Sequence, residues 1–330
     1  MVTGPNGAGK TSLLEAIGYL SMLRSFRKSP RESLLRRGFD AAIVRGEVVH
    51  DGRPTLIEVE IRPPARDRAT KNRQRVTRVP DLLDALRVTI FSPDDLILVK
   101  GGPDERRAYL DDTLELLSPK LTVVRQGVER VLRQRNMLLR QAGGRPDADA
   151  LSTLDVWDQQ LAELGEELIA ARKRLVADLQ APTRDAFRRL TGTAGALLLE
   201  YRPSFDGHLS DALTAARQED LRRGITTKGP HRDDLALSYD DLDARTRLSQ
   251  GRQRAATLAL RLAAHEVISS VTGATPILLL DDAFSELDAR TADALAGELP
   301  AGQAILTTAG ALPPAIPVSV VRHLAGGVFQ

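Results

Sequence analysis

The stretch Gly4-Pro5-Asn6-Gly7-Ala8-Gly9-Lys10-Thr11 fits the pattern G-x-x-x-x-G-K-[ST], and nothing else in the chain constrains the fold as tightly. Such a loop joins the end of a buried strand to the start of a helix, so it demands an α/β layer. Gly7 and Gly9 let backbone N–H groups come close to an anion, with a helix N-terminus behind them. Lys10 is placed to reach the β and γ phosphates of ATP, and Thr11 to offer a hydroxyl to Mg²⁺. Gly4 through Thr11, followed by Ser12, are therefore the candidate nucleotide residues, and Lys10 is also a candidate catalytic residue. Behind the loop, Leu13, Leu14, Ile17 and Leu20 have the spacing of one helix face.

A loop of this kind needs an acidic strand, and "TPILLLDD" supplies one. Its continuous aliphatic run reads as a fully buried parallel strand ending in carboxylates. Asp281 is the candidate Mg²⁺ ligand, acting through the metal's water shell. Asp282, one residue on, is the candidate general base that polarises the attacking water. "AILTTAG" and "PVSVVRHL" read as later strands of the same layer.

A third element separates this chain from most phosphate-loop enzymes. "LSQGRQR" leads into the helical "AATLALRLAAHEVI". Ser249 is a candidate N-cap, and with the N–H of Gly251 it makes an anion-seeking helix start. A second phosphate site in one chain is explained by dimerisation, in which one subunit's Ser249 closes over the γ-phosphate held by the other, as in ATP-binding-cassette heads. "SELD" (Ser285 to Asp288) sits where such heads place the loop that crosses the interface.

Between these elements the chain changes character. "AAIVRGEVVH" and "TLIEVEIRP" flank Asp51-Gly52, a hairpin signal, and Ile57, Val59 and Ile61 alternate with Glu58, Glu60 and Arg62. "LRVTIFSP" is a further short strand. From about Asp104 to Gln180 the pattern is helical, with Ser118-Pro119 as an N-cap followed by proline at the first helical position. Leu121, Val124, Val128, Val131 and Leu138 form one stripe, broken by Arg135. Trp157, Leu161, Leu164, Leu168, Ala171 and Leu175 form another, and two such stripes across a short Gly/Pro loop predict an antiparallel helical hairpin. "ALLLEYRP" and a polar helix over Leu209 to Arg223 follow, and α/β character returns from Thr227.

The chain has 330 residues, 42% of them hydrophobic, no cysteine and a net charge of +2. The lack of cysteine excludes a disulfide framework and thiolate-ligated metal sites. No apolar run is long enough to span a bilayer and no signal peptide stands at the start, so a cytosolic protein is expected. The modest net charge hides uneven basic blocks: "RSFRKSPRESLLRR" has Glu32 as its single acid, and "RPPARDRATKNRQRVTR" has only Asp67. Such blocks mark either a polyanion surface or a solvated face. Lys71, Arg73 and Arg75, then Arg125, Arg130, Arg133 and Arg140, are the candidate polyanion contacts.

Four stretches, "GPNGAGKTSLLEAI", "FSPDDLILVKGGPDERRAYLD", "KGPHRDDL" and "SQGRQR" through "LLLDDAFSELD", make the chain resemble the RecF family of recombination-mediator ATPases related to SMC-type heads. The resemblance implies an α/β ABC/SMC-type P-loop ATPase head with an inserted, mainly helical second domain. Residues 1–90 and 226–330 would form the head and 91–225 the insert. It also implies ATP-driven homodimerisation on gapped, duplex and single-stranded DNA, slow hydrolysis for release, and cooperation with RecR and RecO in loading RecA during recombinational repair and replication restart. It further implies a strand and a hairpin strand ahead of Met1, since Val2 and Thr3 supply only the end of the strand that should hold the loop; the functional protein is expected to begin upstream.

Several residues keep two readings. Arg106 and Arg107 are expected to anchor insert to head rather than to touch DNA. His231 is either a satisfied structural histidine or catalytic, and His50, His208, His265 and His323 show no metal-ligand spacing. Thr307 and Thr308 occupy the region where cassette heads often carry a histidine, and both Gln74 and the Asp94 region compete for the role of metal and water sensor. Two other classes remain. A non-hydrolysing ATP-gated scaffold would share the loop. A transporter motor would bring loop and signature closer together and lack the arginine-led insert.

Overall fold

A continuous aliphatic run can only be an interior strand, whereas an alternating run needs one wet face. Both kinds occur in the computed structural model, which describes residues 1–50, 52–285, 287–310, 316 and 318–330, apart from the side chain of His50. In chain order the strands are β1 (Val2–Thr3), β2 (Ala42–His50), β3 (Arg53–Ile61), β4 (Arg68–Lys71), β5 (Gln74–Val76), β6 (Val88–Phe91), β7 (Leu197–Arg202), β8 (Asp234–Tyr239), β9 (Leu242–Asp243), β10 (Ile277–Asp281), β11 (Ala304–Thr308), β12 (Arg322–Ala325) and β13 (Val328–Phe329). Two units are formed. One comprises Met1–Leu96, Ala186–Thr193 and Thr257–Gln330, the other Ile97–Asp185 and Ala194–Ala256.

The first unit is built on a sheet of order β13-β12-β1-β11-β10-β6. Its ladders are parallel except β12 with β13. Leu278, Leu279 and Leu280 are buried because β10 is flanked by β11 and β6. β1 is flanked as well, with Val2 level with Thr307 on one side and Arg322 on the other. "PVSVVRHL" becomes strand only from Arg322. Its first ladder partner is Val2, and just ahead of it the Met1 ammonium donates to the Val320 carbonyl at 2.7 Å.

The second sheet, β2-β3-β4-β5, is antiparallel throughout. β2 and β3 pair up to His50↔Arg53; Asp51, of the predicted Asp-Gly turn, lies outside the described residues. Ile57, Val59, Ile61 and Ala69 point into one core with Leu14, Tyr19 and Leu20 of the helix Lys10–Met22. Each such aliphatic side chain, fully buried, contributes about 1.5–3 kcal/mol. On the wet face Glu58 pairs with Arg45, and Glu60 with Arg62 and Arg68.

The second unit contains the helices Pro103–Leu117 and Pro119–Ala142, most of the helix Ala148–Thr191, the helix Leu209–Arg223, and the antiparallel sheet β7-β8-β9. Residues 226–256 belong to this unit and not, as 1–90 and 226–330 would have it, to the head, because β8 pairs with β7 from Leu197↔Tyr239 to Arg202↔Asp234. Conversely, residues 186–193, at the end of the long helix, pack with the first unit. That helix also runs on past Gln180, through Pro182, to Thr191. Ser118 stands at the N-cap position with Pro119 at the first turn, but its side chain makes no capping hydrogen bond.

The predicted helical hairpin is antiparallel. A Cβ on Gly127 would lie 3.0 Å from Leu164, Arg135 meets Asp158, and Leu139 clusters with Leu154, so positions rise on one helix as they fall on the other. Arg135, which broke the stripe, is fully buried. Its Nε donates to Asp158 at 2.6 Å and its Nη1 to Asp220 at 2.7 Å and to Thr226 Oγ1 at 2.9 Å.

Candidate functional site

β1, β11, β10 and β6 run parallel, so their carboxyl ends share one edge of the sheet, the edge where α/β folds place ligands. The loop Gly4–Gly9 leaves β1 there and turns into the helix Lys10–Met22. Gly9 takes a left-handed conformation at the N-cap, φ 99°, which favours glycine. At Gly4 a Cβ would sit 2.1 Å from the Leu324 carbonyl oxygen, so the loop can lie against β12 only without a side chain. The turn after β12 braces the loop further, as the Gly327 N–H donates to the Ala8 carbonyl at 3.2 Å. The first intrahelical bond runs from Leu13 N–H to the Gly9 carbonyl, 3.0 Å, which leaves the N–H groups ahead of it as the helix's positive end.

Lys10 is buried, and its ammonium donates to the carbonyls of Gly4 at 2.8 Å and Pro5 at 3.0 Å. The lysine thus folds back over its own loop. Thr11 and Asp281, far apart in sequence, are brought together: the Thr11 hydroxyl donates to Asp281 Oδ1 at 3.0 Å. Oxygen donors on a buried carboxylate and a hydroxyl suit a hard cation such as Mg²⁺. Asp282 follows with a left-handed backbone, φ 47°, and its Oδ1 is buried without a hydrogen-bond partner among the described residues.

One residue here was placed by sequence reasoning only where cassette heads often carry a histidine, with no role given. The Thr307 hydroxyl donates to Asp281 Oδ1 at 2.7 Å and accepts the Asp282 N–H at 3.1 Å. A Thr-Thr pair at the end of an aliphatic strand carries no motif, so only the parallel register Asp281↔Thr307 exposes it.

Ser249 and Gly251 belong to the second unit, exposed at the start of the helix Gln250–Thr272. The Ser249 carbonyl accepts the Gln253 N–H at 2.8 Å, placing Ser249 at the cap position. In "SELD" Glu286 lies outside the described residues. Asp288 caps the next helix, accepting the Thr291 N–H and hydroxyl, each at 2.9 Å. Of the two sensor candidates, Gln74 is exposed at a hairpin tip in the other sheet. The Asp94 region follows β6, whose Phe91 is level with Leu280, and so lies at the same sheet edge as Asp281. Asp95 there is already engaged with Arg261 at 2.5 Å and with the Ser92 N–H at 2.8 Å.

Arg106 and Arg107 do form anchoring contacts, but within the second unit. Arg106 grips Asp234 with two bonds of 2.8 Å, and Arg107 reaches the Asp233 carbonyl and Asp104. Asp111 and the Pro230 carbonyl share Arg172 in the same way. The two stretches "GGPDERRAYLD" and "KGPHRDDL" are therefore wired to each other. His231 is held at 3.0 Å from the Thr226 carbonyl, and burial lowers its pKa, the arrangement of a neutral structural histidine. His265 bonds Thr89 at 2.6 Å, His323 bonds Thr3 at 3.2 Å, His208 lies 3.5 Å from Glu166, and the His50 side chain is outside the described residues.

The basic blocks divide. Arg31 is tied to Asp67, which also takes the Tyr19 hydroxyl at 2.6 Å, whereas Arg27, Arg36 and Arg37 are exposed. Arg73 and Arg75 stand exposed at the β4–β5 tip, while the Lys71 ammonium donates to the Asp81 carbonyl at 3.2 Å. Arg125 pairs with Glu129 at 2.6 Å, and Arg130, Arg133 and Arg140 are exposed.

The model of the RecF/RecN/SMC N terminal domain matches residues 1–308. The DNA replication and repair protein RecF of Streptomyces avermitilis is 43% identical over 322 residues, covering 93% of this chain and 86% of that protein. Its counterpart in Beutenbergia cavernae is 40% identical over 342 residues, with the same coverage. A solved structure of the recombination mediator protein RecF with ATP, in the RecFOR pathway, matches with a TM-score of 0.90 and 28% identity, covering 100% of this chain and 90% of that one. The Smc head domain derived from Pyrococcus furiosus matches at 0.53 with 17% identity, a likeness of fold alone. The fold is thus an ABC/SMC-type P-loop ATPase head, mixed α/β with a helical region, and the chain belongs to the RecF family.

Proposed function

We propose that this chain is an ATP-dependent DNA-binding protein of recombinational repair and replication restart. The observation that carries the reading is the meeting of Thr11 and Asp281 at 3.0 Å beside a loop that holds Lys10. Residues 4–12 would hold the phosphates of ATP, with Thr11 and Asp281 holding Mg²⁺. Bound there, ATP supplies a γ-phosphate whose transfer to water the cation assists by neutralising charge. Lys10 exchanges its two carbonyl partners for phosphate oxygens, and Asp282 takes the proton of the attacking water. Ser249 and the N–H of Gly251 reach the nucleotide of a second copy, so ATP closes a homodimer and hydrolysis reopens it. ATP then times residence on DNA rather than driving transport.

Two copies of the exposed arginines at the β4–β5 tip would be presented to gapped, duplex or single-stranded DNA, with the exposed arginines of the helix Pro119–Ala142 as the alternative surface. Family membership supports RecR and RecO as partners in loading RecA. No helix among the described residues is long and apolar enough to cross a membrane; the proposed place of action, with DNA, is the cytoplasm. The test is DNA binding to gapped, duplex and single-stranded substrates with and without ATP, with Lys10→Met as control. ATP should tighten binding for the wild type and not for Lys10→Met. Equal binding in every nucleotide state would refute the reading.

A further inference from the structure

Two polar groups converge on one hydroxyl. Thr307 Oγ1 donates to Asp281 Oδ1 at 2.7 Å and accepts the Asp282 N–H at 3.1 Å, while Thr11 donates to the same Asp281 oxygen at 3.0 Å. Thr307 is 1% exposed, so water does not compete for these bonds. The parallel registers put Thr307 level with Asp281 on one side and with Val2, the strand that launches the loop, on the other. The Asp282 N–H also reaches the Thr307 carbonyl, at 3.2 Å, so Thr307 grips the left-handed turn at Asp282 with both backbone and side chain.

We propose that Thr307 is a positioning residue for the metal-nucleotide centre. Of the two donors on Asp281 Oδ1, Thr11 is the one a cation would claim; Thr307 is the one left to hold the carboxylate. Through the Asp282 N–H the same hydroxyl holds the backbone from which the candidate base projects. A hydroxyl in this place does for Asp281 what outer partners commonly do for metal ligands, where their loss weakens metal affinity about 10–100-fold. The inference rests on the ATPase reading and adds a residue that the phosphate-loop and acidic-strand motifs do not contain.

The test reads metal affinity directly. Mn²⁺ binding to the nucleotide complex is followed by electron paramagnetic resonance, and fluorescent ADP binding is measured with Mg²⁺ and with EDTA. Thr307→Val keeps the branched shape and removes the hydroxyl; it should weaken Mn²⁺ binding about tenfold or more, leave nucleotide affinity in EDTA as in the wild type, and lower kcat more than it raises KM. Thr307→Ser should restore Mn²⁺ affinity, and Thr307→Ala repeats the loss should Val disturb the strand. A merely structural Thr307 would lower the melting temperature without moving the Mn²⁺ affinity of the folded protein, and that result would overturn the proposal. A wild type without metal-dependent nucleotide binding would overturn the ATPase reading as well, which separates the two failures.

Discussion

Replacing Arg135 by methionine removes the cation at the centre of the antiparallel helix pair. The two carboxylates it serves do not suffer equally. Asp158 keeps Arg217 at 2.6 Å, whereas Asp220, fully buried, is left with the Thr227 N–H at 2.9 Å and hydroxyl at 2.6 Å. Breaking a buried ion pair from one side costs about 3–5 kcal/mol. The surviving contacts, and an Arg135 Nη2 with no partner among the described residues, place this case at the lower end. A loss of about 3 kcal/mol corresponds to a fall in melting temperature of about 6–12 °C for a unit of this size. Circular dichroism melts at neutral pH read it. Adding Asp220→Asn to Arg135→Met removes the orphaned charge and should recover part of the loss. An Arg135→Met protein melting within about 2 °C of wild type would refute the argument that this network carries a buried charge.

Three further outcomes are expected. Burial pushes the pKa of His265 down to about 4 from an ordinary 6.5, so between those values the unfolded chain holds a proton that the native chain does not. Stability should therefore fall as pH drops from about 6.5 towards 4, by on the order of 1–3 kcal/mol; urea titrations of His265→Leu should lack this component, and an identical slope would contradict it. Asp282→Asn keeps the shape but removes the base, so single-turnover hydrolysis should collapse while the ATP-closed dimer persists on DNA; wild-type turnover would exclude Asp282. Replacing Lys71, Arg73 and Arg75 together should flatten the dependence of log affinity on log salt by about 0.9 per lost phosphate contact, with Arg73 and Arg75 contributing most because Lys71 is already engaged. An unchanged slope would move the DNA surface to the helix of Arg130 and Arg133.

The elements that meet at the candidate site were legible because each is a short local motif. Glycines that admit left-handed or crowded backbone, and carboxylates at the end of an aliphatic run, announce themselves in sequence. Thr307 did not, because its role comes from register between strands separated by the helix Ala289–Glu298. Arg135 could be seen to break a hydrophobic stripe, but not why, since its partners Asp220 and Thr226 arrive from a distant helix and the turn after it. The two units part from the expected boundary at 226 for the same reason. β8 reads locally as a return to the head, yet it finds its partner in β7. Long-range pairing, rather than local pattern, decided each of these points.

The most direct test of the composite nucleotide site is complementation between two defective chains. Lys10→Met should lose nucleotide binding, and Ser249→Arg, at an exposed position, should bind nucleotide yet fail to dimerise with ATP. In a mixed dimer one site joins both lesions, while the other joins the intact loop of the Ser249→Arg chain to the intact Ser249 of the Lys10→Met chain. Analytical ultracentrifugation of the two variants mixed with ATP should therefore recover dimer that neither forms alone, along with part of the ATPase rate. A mixture that stays monomeric, or Ser249→Arg alone dimerising like the wild type, would contradict a site shared between two copies.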